Sequence, residues 1–133
     1  MGRVIILFNS LGPMKSLEDN IAETLPLPVV CYHSRRDLES DISSRLLDTS
    51  EIALFVFIST SEGMNPSAYT RGITMMDQLR NHFLLTEIPV LLLGHKGDER
   101  LKIKSRGCGA VYLDLPVKKK DLFDCVKGIF EIN

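Results

Sequence analysis

Ile52-Ala53-Leu54-Phe55-Val56-Phe57-Ile58 is an apolar run with no polar break. A strand with one wet face alternates apolar and polar residues, whereas an unbroken run suits a strand covered on both faces. Shorter runs of the same kind stand at Val4–Phe8, Val29–Tyr32, Val90–Leu93 and Ala110–Leu113. Five buried strands separated by amphipathic stretches read as βαβαβαβαβα. That alternation implies a parallel sheet with helices on both faces and right-handed crossovers. For five strands the expected order is 2-1-3-4-5, the flavodoxin-like doubly wound arrangement.

The intervening segments carry helix punctuation. Pro13 suits a first helical position, and Met14, Leu17, Ile21 and Leu25 then share a face until Pro26 and Pro28 stop the helix. Ser34 and Asp37 form a capping-box pattern, with Leu38, Ile42, Leu46 and Leu47 following at helical spacing. A third helix is expected over about Thr70 to Leu84, with Ile73, Met76, Leu79 and Phe83 inward. Asp98 opens a short polar fourth helix that Gly107 closes. Leu122, Cys125, Val126, Ile129 and Phe130 give the last helix its stripe.

The 133 residues are read as one domain. Hydrophobic residues make up 44% and charged residues 25%, with a net charge of -1, so no global charge favours nucleic acid or a membrane surface. The apolar runs are too short for a signal peptide or a membrane span. The three cysteines, Cys31, Cys108 and Cys125, fall in or beside apolar segments and read as core residues of a reducing, cytoplasmic protein. His33, His82 and His95 lie in separate elements, and no metal or cofactor is assigned to them. The loop Gly94–Asp98 lacks the glycine-rich phosphate loop that a GTPase needs beside it, and Cys31 with Arg36 is one residue short of a phosphatase loop.

In a doubly wound sheet, chemistry gathers beyond the carboxyl ends of the strands. Two junctions there carry a family pattern. Ile88–Gly94 followed by Lys96-Gly97-Asp98-Glu99 resembles the fourth strand and next loop of a two-component receiver domain of the CheY-like family. Gly107-Cys108-Gly109-Ala110-Val111-Tyr112-Leu113-Asp114-Leu115-Pro116 resembles that family's fifth-strand region, and Gly63-Met64-Asn65 is similar to its Gly-Met-Asp after the third strand. The resemblance implies an aspartyl-phosphorylation site, and here this sequence departs from the family. The acidic pair that would hold Mg²⁺ falls on Phe8 and Asn9, and the phosphoacceptor falls on Ile58 or Ser59. The fourth-strand hydroxyl falls on Gly94 and the lysine on Leu115, while Tyr112 and Pro116 match. Phosphoryl transfer to an aspartate needs the nucleophile, the metal's oxygen ligands and cationic donors together.

The resemblance therefore implies a binding module that signals without phosphorylation and is not an enzyme. It also implies a working surface on the fourth helix, fifth strand and fifth helix, here Leu101, Lys102, Ile103, Lys104, Tyr112, Pro116 and Lys119, serving a homodimer or a protein partner. Leu101 and Ile103 are two apart, so one of them should face solvent. Arg106, Lys118 and Lys120 add positive charge to the rim, but no aromatic interleaving or helix-turn-helix pattern points to direct nucleic-acid binding. The alternative is a small-ligand sensor using Asn9, Ser10, Ser59, Thr60 and Asp114 around the altered pocket. Phe8 and Leu115 are expected to approach each other and plug that pocket.

Overall fold

The computed structural model describes residues 2–9, 15–59, 78, 80–82, 85, 87–95, 103, 107, 109–115 and 117–132. Its centre is a five-stranded parallel sheet in the order β2-β1-β3-β4-β5, as the apolar runs predict. The strands are β1 (Val4–Asn9), β2 (Val29–Tyr32), β3 (Ile52–Ser59), β4 (Val90–His95) and β5 (Val111–Leu115). The described helices are α1 (Lys15–Thr24), α2 (Arg35–Ser43) and a C-terminal helix (Lys119–Ile132). Gln78, Arg80–His82, Ile103 and Gly107 are also helical, within the segments expected to form the third and fourth helices. The rest of those two helices, with Pro13, Met14, Cys108 and the Gly63-Met64-Asn65 segment, lies outside the described residues.

Register sorts the core. Successive strand residues point to opposite faces. Ile5, Leu7, Leu54, Val56, Ile58, Leu91, Leu93 and Leu115 join Ile21 and Leu25 at α1, and Leu122, Val126 and Ile129 of the C-terminal helix. Ile6, Phe8, Phe55, Phe57, Val90 and Leu92 join Leu38 and Ile42 of α2 on the other face. Phe57 is central to that second cluster, its ring 5.5 Å from Phe8 and 5.9 Å from Phe55.

Several boundaries differ from the sequence expectation. β4 continues through Gly94 and His95, and β5 through Asp114 and Leu115, because these residues pair directly: Gly94 with Asp114 and His95 with Leu115. The ladder is held by backbone hydrogen bonds, so it outlasts the apolar runs by one or two residues. α2 stops at Ser43 rather than running to Leu47. Arg45 has φ 64, a left-handed conformation that breaks the helix. Leu46 is consequently turned out to 82% exposure while Leu47 folds back into the core. Gly107 is helical, and the left-handed glycine of that region is Gly109 at φ 75, just before β5.

Other punctuation holds. The Ser34 hydroxyl accepts from the Asp37 amide at 3.4 Å and caps α2. α1 ends at Thr24, ahead of Pro26 and Pro28. Tyr32 Oη donates to Asp41 Oδ2 at 2.6 Å, tying β2 to α2. Burial and this bond push the phenol up to about 12.

Phe57→Ala should remove a buried ring and its contacts with Phe8 and Phe55, costing about 3–5 kcal/mol in urea unfolding. Phe123→Ala, at a site 41% exposed, should cost under about 1 kcal/mol by the same measurement.

Candidate functional site

The carboxyl ends of β1, β3, β4 and β5 form one edge of the sheet, and strand parity divides the residues there. Asn9, Ile58 and Leu115 sit at strand positions facing α1 and the C-terminal helix. Phe8 faces α2, in register with Phe57 on β3. Ser59 and Gly94 are paired neighbours in the next row, with Asp114 beside Gly94. Phe8 is 1% exposed, Ile58 3% and Leu115 8%. Phe8 and Leu115 therefore do not plug a shared pocket as the sequence led us to expect. They belong to opposite core clusters, and β3 and β4 stand between their strands. Each fills its own face: Phe8 against Phe57, Leu115 among the apolar residues under the C-terminal helix.

Asn9 is fully buried and directed toward α1. Its Nδ2 donates to Glu18 Oε2 at 3.3 Å. Glu18 occupies the first turn of α1 and is itself buried. Its other oxygen, Oε1, accepts from the Cys31 thiol at 2.9 Å and lies 2.7 Å from His33 Nε2. Cys31 Sγ and His33 Nε2 are 3.5 Å apart, closing a triangle. Burial first, then the Glu18 hydrogen bond and charge, push the Cys31 thiol up to about 12. At neutral pH it is a thiol and a poor nucleophile.

This polar cluster is the feature the sequence reading missed. Cys31 is half-buried rather than a plain core residue, and His33 is not isolated from it. The signal is local: Cys31-x-His33 on extended backbone puts both side chains on one face. Glu18 is contributed by a different element, and only the packing of α1 on the sheet brings it there.

On the expected interaction surface, Ile103 is 66% exposed, as the spacing of Leu101 and Ile103 requires of one of them. Tyr112 is half-buried and packs against the α2-side cluster. Lys118, Lys119 and Lys120 are exposed, and Lys119 Nζ reaches Glu23 Oε2 on α1 at 3.7 Å. Leu101, Lys102, Lys104, Arg106 and Pro116, like Ser10 and Thr60, lie outside the described residues. Among the described residues no helix is long and apolar enough to cross a membrane.

No family model matches the chain, and no curated protein does. Solved structures do. A putative response regulator from Chloroflexus aurantiacus is similar with a TM-score of 0.71 and 19% identity, covering 98% of this chain and 99% of that one. A CheY-like response regulator receiver domain protein from Methanospirillum hungatei gives a TM-score of 0.70 and 15% identity over 98% of this chain and 95% of its own. NtrX from Brucella abortus gives 0.73 and 15%, covering 99% of this chain but only 27% of that longer protein. The fold of this chain is that of the CheY-like receiver domains, spanned nearly end to end.

Proposed function

We propose that this chain is a signalling module that acts by protein contact, without aspartyl phosphorylation and without catalysis of its own. The observation that carries this reading is Ile58, a 3% exposed apolar side chain where the sequence resemblance expects the phosphoacceptor. Should the acceptor register fall on Ser59 instead, it is still no carboxylate. Phe8 and Leu115 extend the argument, because both are buried apolar groups where a metal ligand and a cation would be needed. Asn9 keeps oxygen and nitrogen at the edge, but its amide is engaged with Glu18.

The contact surface in this reading is formed by the fourth helix, β5 and the C-terminal helix. Ile103 supplies an exposed apolar group, Val111 on edge strand β5 and Phe123 on the C-terminal helix are each 41% exposed, and Lys118–Lys120 supply charge. Apolar groups inside a charged rim are typical interface anatomy. The partner is a protein, a second copy of the chain being the first to test.

Incubation with an acyl phosphate and Mg²⁺ should leave the intact mass unchanged. A stoichiometric gain of one phosphoryl group on any Asp or Glu would sink the reading. Asp substituted together at Phe8, Asn9 and Ile58 should not restore the reaction, since Gly94 and Leu115 still offer no hydroxyl or cation. The same triple variant should unfold more easily, because two of the new carboxylates replace buried apolar side chains.

In sedimentation, the wild type should self-associate and Ile103→Glu should shift it toward monomer, with salt weakening the association. A wild type that stays monomeric at high concentration, with no loss of partner binding in Ile103→Glu, would place the interface elsewhere.

A further inference from the structure

The Glu18–Cys31–His33 triangle offers a carboxylate oxygen, a sulfur and an imidazole nitrogen within one another's reach, at 2.9, 2.7 and 3.5 Å. Oxygen, sulfur and nitrogen donors together suit a borderline divalent metal such as Zn²⁺ and not Mg²⁺, which prefers an all-oxygen octahedron. Tetrahedral bonds of about 2.0–2.3 Å set ligand atoms roughly 3.3–3.7 Å apart. The sulfur–nitrogen edge already has that length. The two edges to Glu18 Oε1 are shorter, so the carboxylate must withdraw by less than about 1 Å, within the reach of its side-chain torsions.

The surroundings also fit. Glu18 is buried, with its side chain 11% exposed, while that of His33 is 35% exposed, leaving a route from solvent. Asn9 holds Oε2 of the same carboxylate from fully buried backbone, the kind of outer hydrogen bond that fixes which oxygen turns to a metal.

We propose that Glu18 Oε1, Cys31 Sγ and His33 Nε2 form a binding site for Zn²⁺ at the carboxyl edge of β1 and β2, with Asn9 positioning the carboxylate. On binding, the Cys31 S–H bond breaks, its proton leaves to solvent, and the sulfur electron pair goes to the metal. Three protein ligands leave a fourth position for water or for a donor from a partner. The site joins β2 and α1 through its ligands and β1 through Asn9. It is independent of the signalling reading, since it uses none of the residues assigned to the interaction surface.

The test uses the reduced 133-residue chain with Co²⁺ as a spectroscopic stand-in for Zn²⁺. The expected result is one Co²⁺ per chain with a sulfur-to-cobalt charge-transfer absorption that Zn²⁺ abolishes by displacement. Cys31→Ser should lose that absorption, Cys125→Ser should keep it, and His33→Gln should weaken binding at least about tenfold. Circular dichroism of each metal-free variant checks that the fold is retained. A second measurement needs no variant: Zn²⁺ should slow alkylation of Cys31, read by peptide mass, and leave Cys125 unaffected. Absence of the charge-transfer absorption in the wild type, its survival in Cys31→Ser, or equal Cys31 alkylation with and without Zn²⁺ would each overturn the site and leave a hydrogen-bonded cluster only.

Discussion

Everything in this domain depends on β3 being covered on both faces. Its neighbours β1 and β4 pair with it along nearly its whole length, and helices close the two sides. Residues 52–58 are therefore buried without alternation, and each large side chain contributes roughly 1.5–3 kcal/mol by leaving water. A strand in that position cannot slip by one residue, because both faces would then present the wrong shapes to their helices. After a shift between Val4 and Ile5, β1 keeps one register with β3 through to the carboxyl edge, and β4 does the same on the other side.

That constant register, with its alternating faces, explains the division of the edge. Phe8 and Asn9 are adjacent in sequence, yet one enters the aromatic cluster under α2 and the other meets Glu18 of α1. A pocket between β1 and β3 would need carboxylates at such positions to converge on a cation. Here the α2 side is filled by Phe8 and Phe57, and the polar groups collect on the α1 side instead. Hydrogen bonding is what allows Asn9 and Glu18 to remain buried there, since an unpaired amide or carboxylate would cost several kcal/mol.

The sequence made the sheet legible because burial on both faces writes an unbroken apolar run, and all five runs became strands in the expected order. It was less informative at strand ends. Gly94-His95 and Asp114-Leu115 carry no continuous apolar signal, yet they pair by backbone bonds that any residue except proline can make. Leu46 shows the opposite failure. Its spacing matches the face of α2, but the left-handed Arg45 intervenes and no periodicity reports a backbone reversal. Phe8, Ile58, Gly94 and Leu115 could be placed at the carboxyl edge because their positions follow from the strand ends. The Glu18–Cys31–His33 cluster could not, because its carboxylate comes from a helix whose rotation on the sheet is set by Ile21 and Leu25.

The two sides of this edge make opposite demands on the side chains placed there. A phosphoryl site needs hard oxygen ligands open to solvent, with a cation nearby to meet the transferred charge. The positions that the sequence resemblance assigns to one hold Phe8, Ile58 and Leu115, all buried in the core. Replacing those side chains by charged ones would remove packing from both clusters at once. On the α1 side, Glu18 is hydrogen-bonded to Asn9, Cys31 and His33, which helps polar atoms to remain there. The fold keeps the receiver's geometry, and the hydrogen-bonded polar side chains described at this edge gather on the flank between α1 and β2.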